Sequence, residues 1–432
     1  MTVEFQTRNP ATPPSGLKVK VTDTPLGVIQ HMNIDADTPP VQVYPAPYHA
    51  SPFGGFRVAQ DFMVQDNVHY YPGAATAYDP DKYGYEADAG GKGTITHLPD
   101  QSSLRLSIPD STNGAKSRLR THDAIRYQAG AATHIKMTIY TSVSGTLYTV
   151  VRSSASGVVV DTPVAQTAWN EDASAVDVTK GNIYEIMYQW LGVGEVMFFV
   201  NGGLRHVVSN AGQLITPYMK TANLPFSFEI VNDAGIQYMR WGQFDDSDGV
   251  FYEVQVPAGA GSFTYICSSG RILNGLPYPM NAFGFSHAMT GVGATLLPLF
   301  SMRVNNLFNG IASRIFVLPS FLTCFAETRE GAFAIIINPT LTGATWAATS
   351  PSGGVQLDTA ASVVTGGAEI FRAGLGQDVS QTFQLTDIFT VAGTKIRKQA
   401  FTNTSDIFTI GVVREGSVNF NPRATLNWRE VR

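Results

Sequence analysis

Residues 183–208 read IYEIMYQWLGVGEVMFFVNGGLRHVV. Ile183 to Met187 begins an apolar run, Val196 to Val200 forms another beyond Gly192-Val193-Gly194, and Leu204 to Val208 a third. Short runs of this length, alternating in polarity and bounded by glycine, are the signature of half-buried strands. Asn201-Gly202-Gly203 separates the second run from the third. Asn and Gly accept positive φ, so this tripeptide predicts a tight hairpin turn. The stretch therefore reads as a meander of antiparallel strands.

The same pattern extends in both directions. Thr146 to Val151 and Val158 to Val160 flank a turn at Ser153-Ser154-Ala155-Ser156-Gly157. Further on, Leu299 to Val304, Ile315 to Leu318, Ala334 to Ile337 and Phe408 to Val413 are strand-like, punctuated by Pro319, Pro339 and Gly343. The run from Ala424 to Arg432 alternates through Leu426, Trp428 and Glu430 and predicts a terminal strand that closes a sheet. No long segment has helical periodicity. Many short strands at such spacing predict an all-β chain of two antiparallel β-sandwich, jelly-roll-like domains.

Three units are expected. Residues 1–50 contain Pro10, Pro13, Pro14, Pro25, Pro39, Pro40, Pro45 and Pro47. Proline is excluded from helix interiors and central strands, so this segment predicts an extended N-terminal arm. Its apolar residues (the Leu17–Val21 run, Val41, Val43, Tyr44, Tyr48) favour docking on a neighbouring copy, and a homotrimer is the expected assembly. Residues 51–260 form the first sandwich and residues 261–432 the second.

Composition narrows the function. Of 432 residues, 44% are hydrophobic and 15% charged, which argues against disorder and fits a chain that buries surface against other proteins. The net charge of −5 leaves no electrostatic footprint for nucleic acid or an anionic membrane. No stretch approaches the ~18–20 apolar residues of a membrane span. Met1-Thr2-Val3-Glu4-Phe5 lacks the basic and apolar regions of a signal peptide, so synthesis and solubility in a cytoplasm are expected. Cys267 and Cys324 have neither disulfide-framework nor zinc spacing and read as small buried apolar residues.

A search for chemistry returns no catalytic, cofactor or metal assignment. Asp245-Asp246-Ser247-Asp248-Gly249 is the best cation candidate, but Phe244 and the missing distant Glu break the calcium-loop pattern, and a turn is the better reading. Glu185 and Glu195 flank Trp190 and would serve glycan hydrolysis if they faced one cleft. The histidines are scattered, and no nucleophile elbow or phosphate loop is present. Tyr70, Tyr71, Tyr78, Tyr83 and Tyr85 form either a glycan or protein contact surface or packing at a subunit interface, the second being preferred.

Several phrases, taken in order, resemble a family of virion structural proteins of tailed bacteriophages and large DNA viruses. They are Phe53-Gly54-Gly55-Phe56-Arg57-Val58, Arg118-Leu119-Arg120 with Ile125-Arg126-Tyr127-Gln128-Ala129-Gly130, and Val151 to Gly157. Gln189 to Gly194, Pro217 to Phe226 and Asn338-Pro339-Thr340-Leu341-Thr342-Gly343 follow. Residues 295–370 carry much of the likeness, which covers roughly residues 51–432. Two departures stand out. Residues 239–253 look like a hairpin that the family usually carries before its Arg-Ser-Ser hairpin, and residues 1–50 have no counterpart. The resemblance implies a structural virion component on the outside of the particle, a tail or neck appendage ahead of a capsid-surface decoration. It implies other virion proteins as partners, with a host-surface glycan or protein as a further one, and no catalytic residues. Arg118, Arg120 and Arg126 are read as anchors for carboxylates or carbonyls at a sheet edge.

Overall fold

The computed structural model describes residues 62–70, 73, 75–125, 131–189, 194–210, 217–220, 223–273, 280–308, 311–349, 353–385, 395–402 and 404–431. The expected arm at 1–50 lies outside them, and residues 51–432 form one compact unit. The architecture is all-β and antiparallel throughout, in two sandwiches.

The first sandwich contains β1 (Phe62–Val68), β2 (Tyr83–Ala87), β3 (Thr94–Leu98), β4 (Ser103–Ile108), β5 (Lys116–Ile125), β6 (Ala132–Thr141), β7 (Thr146–Ser153) and β8 (Val160–Ala165). It continues through β9 (Asn182–Tyr188), β10 (Glu195–Val200), β11 (Gly203–Ser209), β12 (Leu224–Asp233), β13 (Ile236–Phe244), β14 (Gly249–Pro257) and β15 (Gly261–Leu273). One sheet runs β11-β10-β9-β6-β15-β4-β3, with β1 also on β15, and the other runs β2-β5-β12-β13-β14-β7-β8. Alternation sends Phe228, Ile230, Met239, Trp241, Tyr252 and Val254 inward to meet Ile135, Tyr184, Ile186 and Phe198. Tyr184, Trp241, Tyr252 and Phe198 pack ring on ring, with centroids 4.9–5.4 Å apart along the chain of contacts. The hairpin at 201–203 forms as expected, with φ of 52° at Asn201 and 80° at Gly202.

The second sandwich starts at β16 (Met280–Ala288), followed by β17 (Leu297–Val304), β18 (Leu307–Phe308), β19 (Ile311–Ala312), β20 (Phe316–Glu327), β21 (Gly331–Ile337), β22 (Thr340–Thr342) and β23 (Ala347–Ala348). β24 (Val355–Asp358), β25 (Val363–Thr365), β26 (Ala368–Leu375), β27 (Val379–Gln384), β28 (Ile407–Arg414) and β29 (Asn421–Val431) complete it. A four-stranded sheet, β16-β29-β20-β27, packs on a six-stranded one, β23-β24-β17-β28-β21-β26. Trp428, Phe300, Phe333 and Phe408 anchor the core between them.

Two expectations are corrected. The boundary placed between residues 260 and 261 moves, because β15 is held by β6 on one side and by β4 and β1 on the other. That strand belongs to the first sandwich, and the second begins with β16 (Met280–Ala288). The terminal strand β29 does not close a sheet. It lies between β16 and β20, in the middle.

Proline punctuation was also misleading as a strand boundary. Pro225, Pro298 and Pro319 all lie inside strands, each beside a register shift. The residue after each proline drops out of the register, so the ladder is already interrupted beside the missing N–H.

Candidate functional site

The outer face of the seven-stranded sheet carries one charge near the centre of each of five neighbouring strands. Glu86 stands opposite Arg118, Arg118 opposite Glu229, Glu229 opposite Arg240, and Arg240 opposite Glu253. The result is a row of alternating sign that crosses the sheet at right angles to the strands. Cross-strand neighbours of opposite charge attract, and here every neighbour is opposite.

The pairing is close. Arg118 donates to Glu86 Oε2 and Glu229 Oε2, both at 2.9 Å. Arg240 donates to Glu229 Oε1 at 2.9 Å and Glu253 Oε2 at 2.5 Å. Gln255 supplies Glu253 Oε1 with a further donor at 2.5 Å. The Glu229 and Glu253 side chains are 6% and 4% exposed, so they are charges taken out of water and need these partners. Burial alone would raise the Glu229 pKa. The guanidiniums of Arg240 and Arg118 outweigh it and hold the carboxyl below its ordinary value. Tyr238 lies under Arg240, with 4.5 Å between guanidinium and ring centroid.

The aspartate turn between β13 and β14 fastens this face to its surroundings. Asp246 pairs with both Arg118 and Arg120. Asp248 Oδ1 accepts from the Ser154 N–H at 2.8 Å, and Asp245 Oδ1 accepts from the N–H groups of Ser247 and Asp248, both at 2.8 Å. Asp245 also pairs with Arg314 of the second sandwich. The segment is a turn, and its carboxylates are engaged by cations and N–H donors. Among the described residues no group of three or more His, Cys, Asp or Glu side chains is placed to hold a metal ion.

The two sandwiches meet through charge. Asp123 on β5 is 2.9 Å from Lys395 Nζ and 2.8 Å from Arg397 Nη1. Burial opposes ionisation of Asp123, but these two cations pull its pKa down to about 2. His122 Nδ1 accepts from the Ala400 N–H at 2.9 Å, while Nε2 faces the Pro80 carbonyl at 3.1 Å. Burial and Arg397 lower its pKa, so it serves as a neutral double hinge. Phe401 covers Arg120 and Arg118, with its centroid 4.7 and 5.5 Å from their guanidinium carbons.

The expected site residues are placed as follows. Arg118 and Arg120 do anchor carboxylates, but on the face of a strand flanked by β2 and β12 rather than at a sheet edge. Arg126, Trp190 and Tyr71 lie outside the described residues. Glu185 and Glu195 are not brought together. Glu185 stands opposite Phe199, four residues along β10 from Glu195, a separation of about 13 Å at the rise of a strand. Carboxylates that share a glycosidic bond lie within about 10 Å. Glu185 is instead bound by His134 at 3.0 Å and Lys136 at 2.9 Å.

The tyrosine cluster is brought together only in part: Tyr78 and Tyr85 pack with ring centroids 5.8 Å apart. Tyr83 is a core residue bonded to the Tyr265 hydroxyl at 3.2 Å, Tyr85 donates to the Gly93 carbonyl at 2.9 Å, and Tyr70 is 65% exposed. Cys324 is buried, with burial pushing its thiol up to about 12, whereas Cys267 is half-buried beside Thr138.

A cleft of about 670 Å³ opens where β7 and β8 of one sheet approach β10 and β11 of the other. Val151, Val164, Phe198, Val208 and Tyr218 give it apolar walls. Thr149 and Asn210 belong to its lining, with Thr149 Oγ1 and Asn210 Nδ2 shut off from solvent and without a hydrogen-bond partner. Neither the ladder nor the cleft coincides with a motif of the sequence. The ladder had a visible signal, one charge inside an apolar alternating run (FSFEIV, QYMRWG, VFYEVQ).

No protein family and no curated protein matches the chain. Among solved structures it is similar to the carbohydrate recognition domain of Emp47p, at 9% identity and a TM-score of 0.27, over 50% of this chain and 97% of that one. It is similar to the endo-β-1,4-glucuronan lyase of Trichoderma reesei, at 10% identity and a TM-score of 0.28, over 48% of this chain and 95% of that one. The Bacillus licheniformis β-glucanase aligns at 9% identity and a TM-score of 0.18, over 50% and 99% of the two chains. Likenesses this weak say nothing of the chemistry of this chain.

Among the described residues no helix is long and apolar enough to cross a membrane.

Proposed function

We propose that this chain is a non-catalytic structural component of a bacteriophage virion, placed outside the particle as a tail or neck appendage. The observation that carries the non-catalytic reading is the saturated ladder. Hydrolysis by paired carboxylates needs one acid kept protonated near neutral pH. Glu229 and Glu253 are each clamped by arginine, and the clamp on Glu229 favours its ionised form. The ion pairs joining the two sandwiches support a building block that keeps one shape. Membership of a virion rests on the sequence phrases. Of these, Arg118-Leu119-Arg120 supplies Arg118 to the ladder, and Asn338, with φ of 53°, accepts the Ile407 N–H at 2.8 Å.

The partners in this reading are further copies of the chain, as a homotrimer, and other virion proteins. The test is mass spectrometry of purified particles. A stoichiometric copy number supports the proposal. Absence from particles, or polysaccharide turnover by the isolated chain, refutes it. Immunogold labelling of intact particles tests the external position, and labelling that needs an opened head would sink it. Deletion of residues 1–50 should leave both sandwiches folded and abolish incorporation into particles. Normal incorporation of the truncated chain would remove the arm from the proposal.

A second reading, a glycan-binding module, is favoured by the cleft at Thr149 and Asn210. Its volume lies within the range of small-molecule sites. A pyranose presents an apolar C–H face suited to the partly exposed Val151, Val164 and Val208 of its lining. Saturable glycan binding that is lost in Asn210→Leu would favour this reading over a purely structural one.

A further inference from the structure

Between the sandwiches lies a small cavity of about 70 Å³, bounded by β5 on one side and by residues 313–316 and 397–400 on the other. Its wall carries Arg120, Arg314, Arg397 and Lys398, with Asp123 as its carboxylate. In a chain of net charge −5, this is a concentrated excess of positive charge. The partners of these cations do not cancel it. Asp123 is shared between Arg397 and Lys395, and Asp246 is shared between Arg120 and Arg118. From outside the wall Asp245 pairs with Arg314, and Asp246 and Asp248 act on it as well, yet burial and Arg120 leave its pKa lowered. Asp406 turns to Asn338 and the Arg397 N–H, and burial pushes its carboxyl toward the neutral form.

Lys398 is the decisive residue. The residue as a whole is 8% exposed, and its ammonium, in a part-buried position, donates to the Asn306 carbonyl at 3.1 Å. An ammonium taken partly out of water normally has a carboxylate or another anion beside it, because desolvation is costly. Its surroundings act the wrong way: burial first, then the Arg314 guanidinium, lowers the Lys398 pKa.

We infer that this cavity binds a small tetrahedral oxyanion, of the phosphate or sulfate class, which joins the two sandwiches. The space exceeds that of one water and suits one such ion. Guanidiniums match the edges of an oxyanion, while an ammonium supplies a point charge. Both lobes contribute ligands, Arg120 from the first and Arg314, Arg397 and Lys398 from the second. Occupancy would therefore stabilise the joined form and not either lobe alone. This inference does not depend on the proposed place in a virion.

The test uses the full chain. Thermal unfolding is followed while inorganic phosphate replaces chloride at constant ionic strength, and bound phosphate is counted by equilibrium dialysis with labelled phosphate. The expected result is a saturable rise in the midpoint and one phosphate per chain. Lys398→Met should weaken phosphate binding about tenfold or more and leave the midpoint in chloride unchanged or higher, because an uncompensated buried charge is gone. A merely structural lysine would lower that midpoint. Lys398→Arg should retain binding. An equal response to glycerol phosphate would assign the site to a terminal phosphate group, and a response to inorganic phosphate alone would assign it to the free ion. The inference is overturned by no bound phosphate, or by equal binding in wild type and Lys398→Met.

Discussion

The ladder on β2-β5-β12-β13-β14 and the cavity between the sandwiches are built from the same residue types, yet their charge balance is opposite. In the ladder each guanidinium lies between two carboxylates, and the inner carboxylates lie out of water. In the cavity four cations share too few acids, and Lys398 has a carbonyl in place of a carboxylate. The contrast separates two uses of charge. A closed network fixes a surface and has nothing left to offer a ligand. An open one retains unspent attraction.

The comparison breaks first at the centre of the ladder. Arg240→Met leaves Glu229 and Glu253 short of their shared partner, and breaking a buried pair costs about 3–5 kcal/mol. Thermal unfolding should show a midpoint lower by about ten degrees. By contrast Glu86→Gln, at the rim and 34% exposed, should cost less than about 1 kcal/mol. Equal losses at the two positions would mean that the row does not act as a buried network.

Asp123→Asn tests the joint between the sandwiches. It leaves Lys395 and Arg397 without their carboxylate, a loss of about 1.5–3 kcal/mol for charged hydrogen bonds. Hydrogen exchange should accelerate at residues 395–402 while the strands of both cores stay protected. Uniform acceleration across the chain would show that the joint is not a separate unit of stability.

A third effect is pH dependence away from either charged region. His69 is 4% exposed, and its Nε2 has no hydrogen-bond partner. Burial first, then His97 and Lys82, lower its pKa from 6.5 to about 3. The unfolded chain therefore binds the proton more readily than the folded one. Stability from this group is present above pH 6.5 and is lost as pH falls toward 3, by about 1.4 kcal/mol per pH unit at most. His69→Phe should flatten the slope of stability between pH 4 and 6, and an unchanged slope would exonerate His69. The smallest expected effect is that of Phe401→Ala, which removes the ring over Arg118 and Arg120 at a cost of about 0.5–1 kcal/mol.

Much of the fold was legible. The runs at 183–208, 299–304, 334–337 and 408–413 all fall on observed strands, because alternation is a local property. Pairing is not local. Alternation marks Gly261–Leu273 as a strand without saying that its partners are residues 132–141 and 103–108, and so the domain boundary was placed twelve or so residues early. The terminal strand has the same problem, since its central place depends on Met280–Ala288 and Phe316–Glu327. The ladder could be suspected from one charge per apolar run, but its sign alternation appears only when five registers align. The cavity was beyond reach, because Arg120, Arg314 and Lys398 are brought together by tertiary packing alone.

The central claim is that the ladder carboxylates are closed by arginine, with Glu229 at their centre held ionised, and are therefore structural. Its most direct test is a carbon-13 NMR titration of the glutamate carboxyls in the folded chain, with Glu229→Gln providing the assignment. The expected result is a Glu229 resonance that titrates below the ordinary glutamate value, alongside no change in any glycan substrate. A Glu229 carboxyl that titrates above the ordinary value, and so stays protonated toward neutral pH as a general acid must, would contradict it.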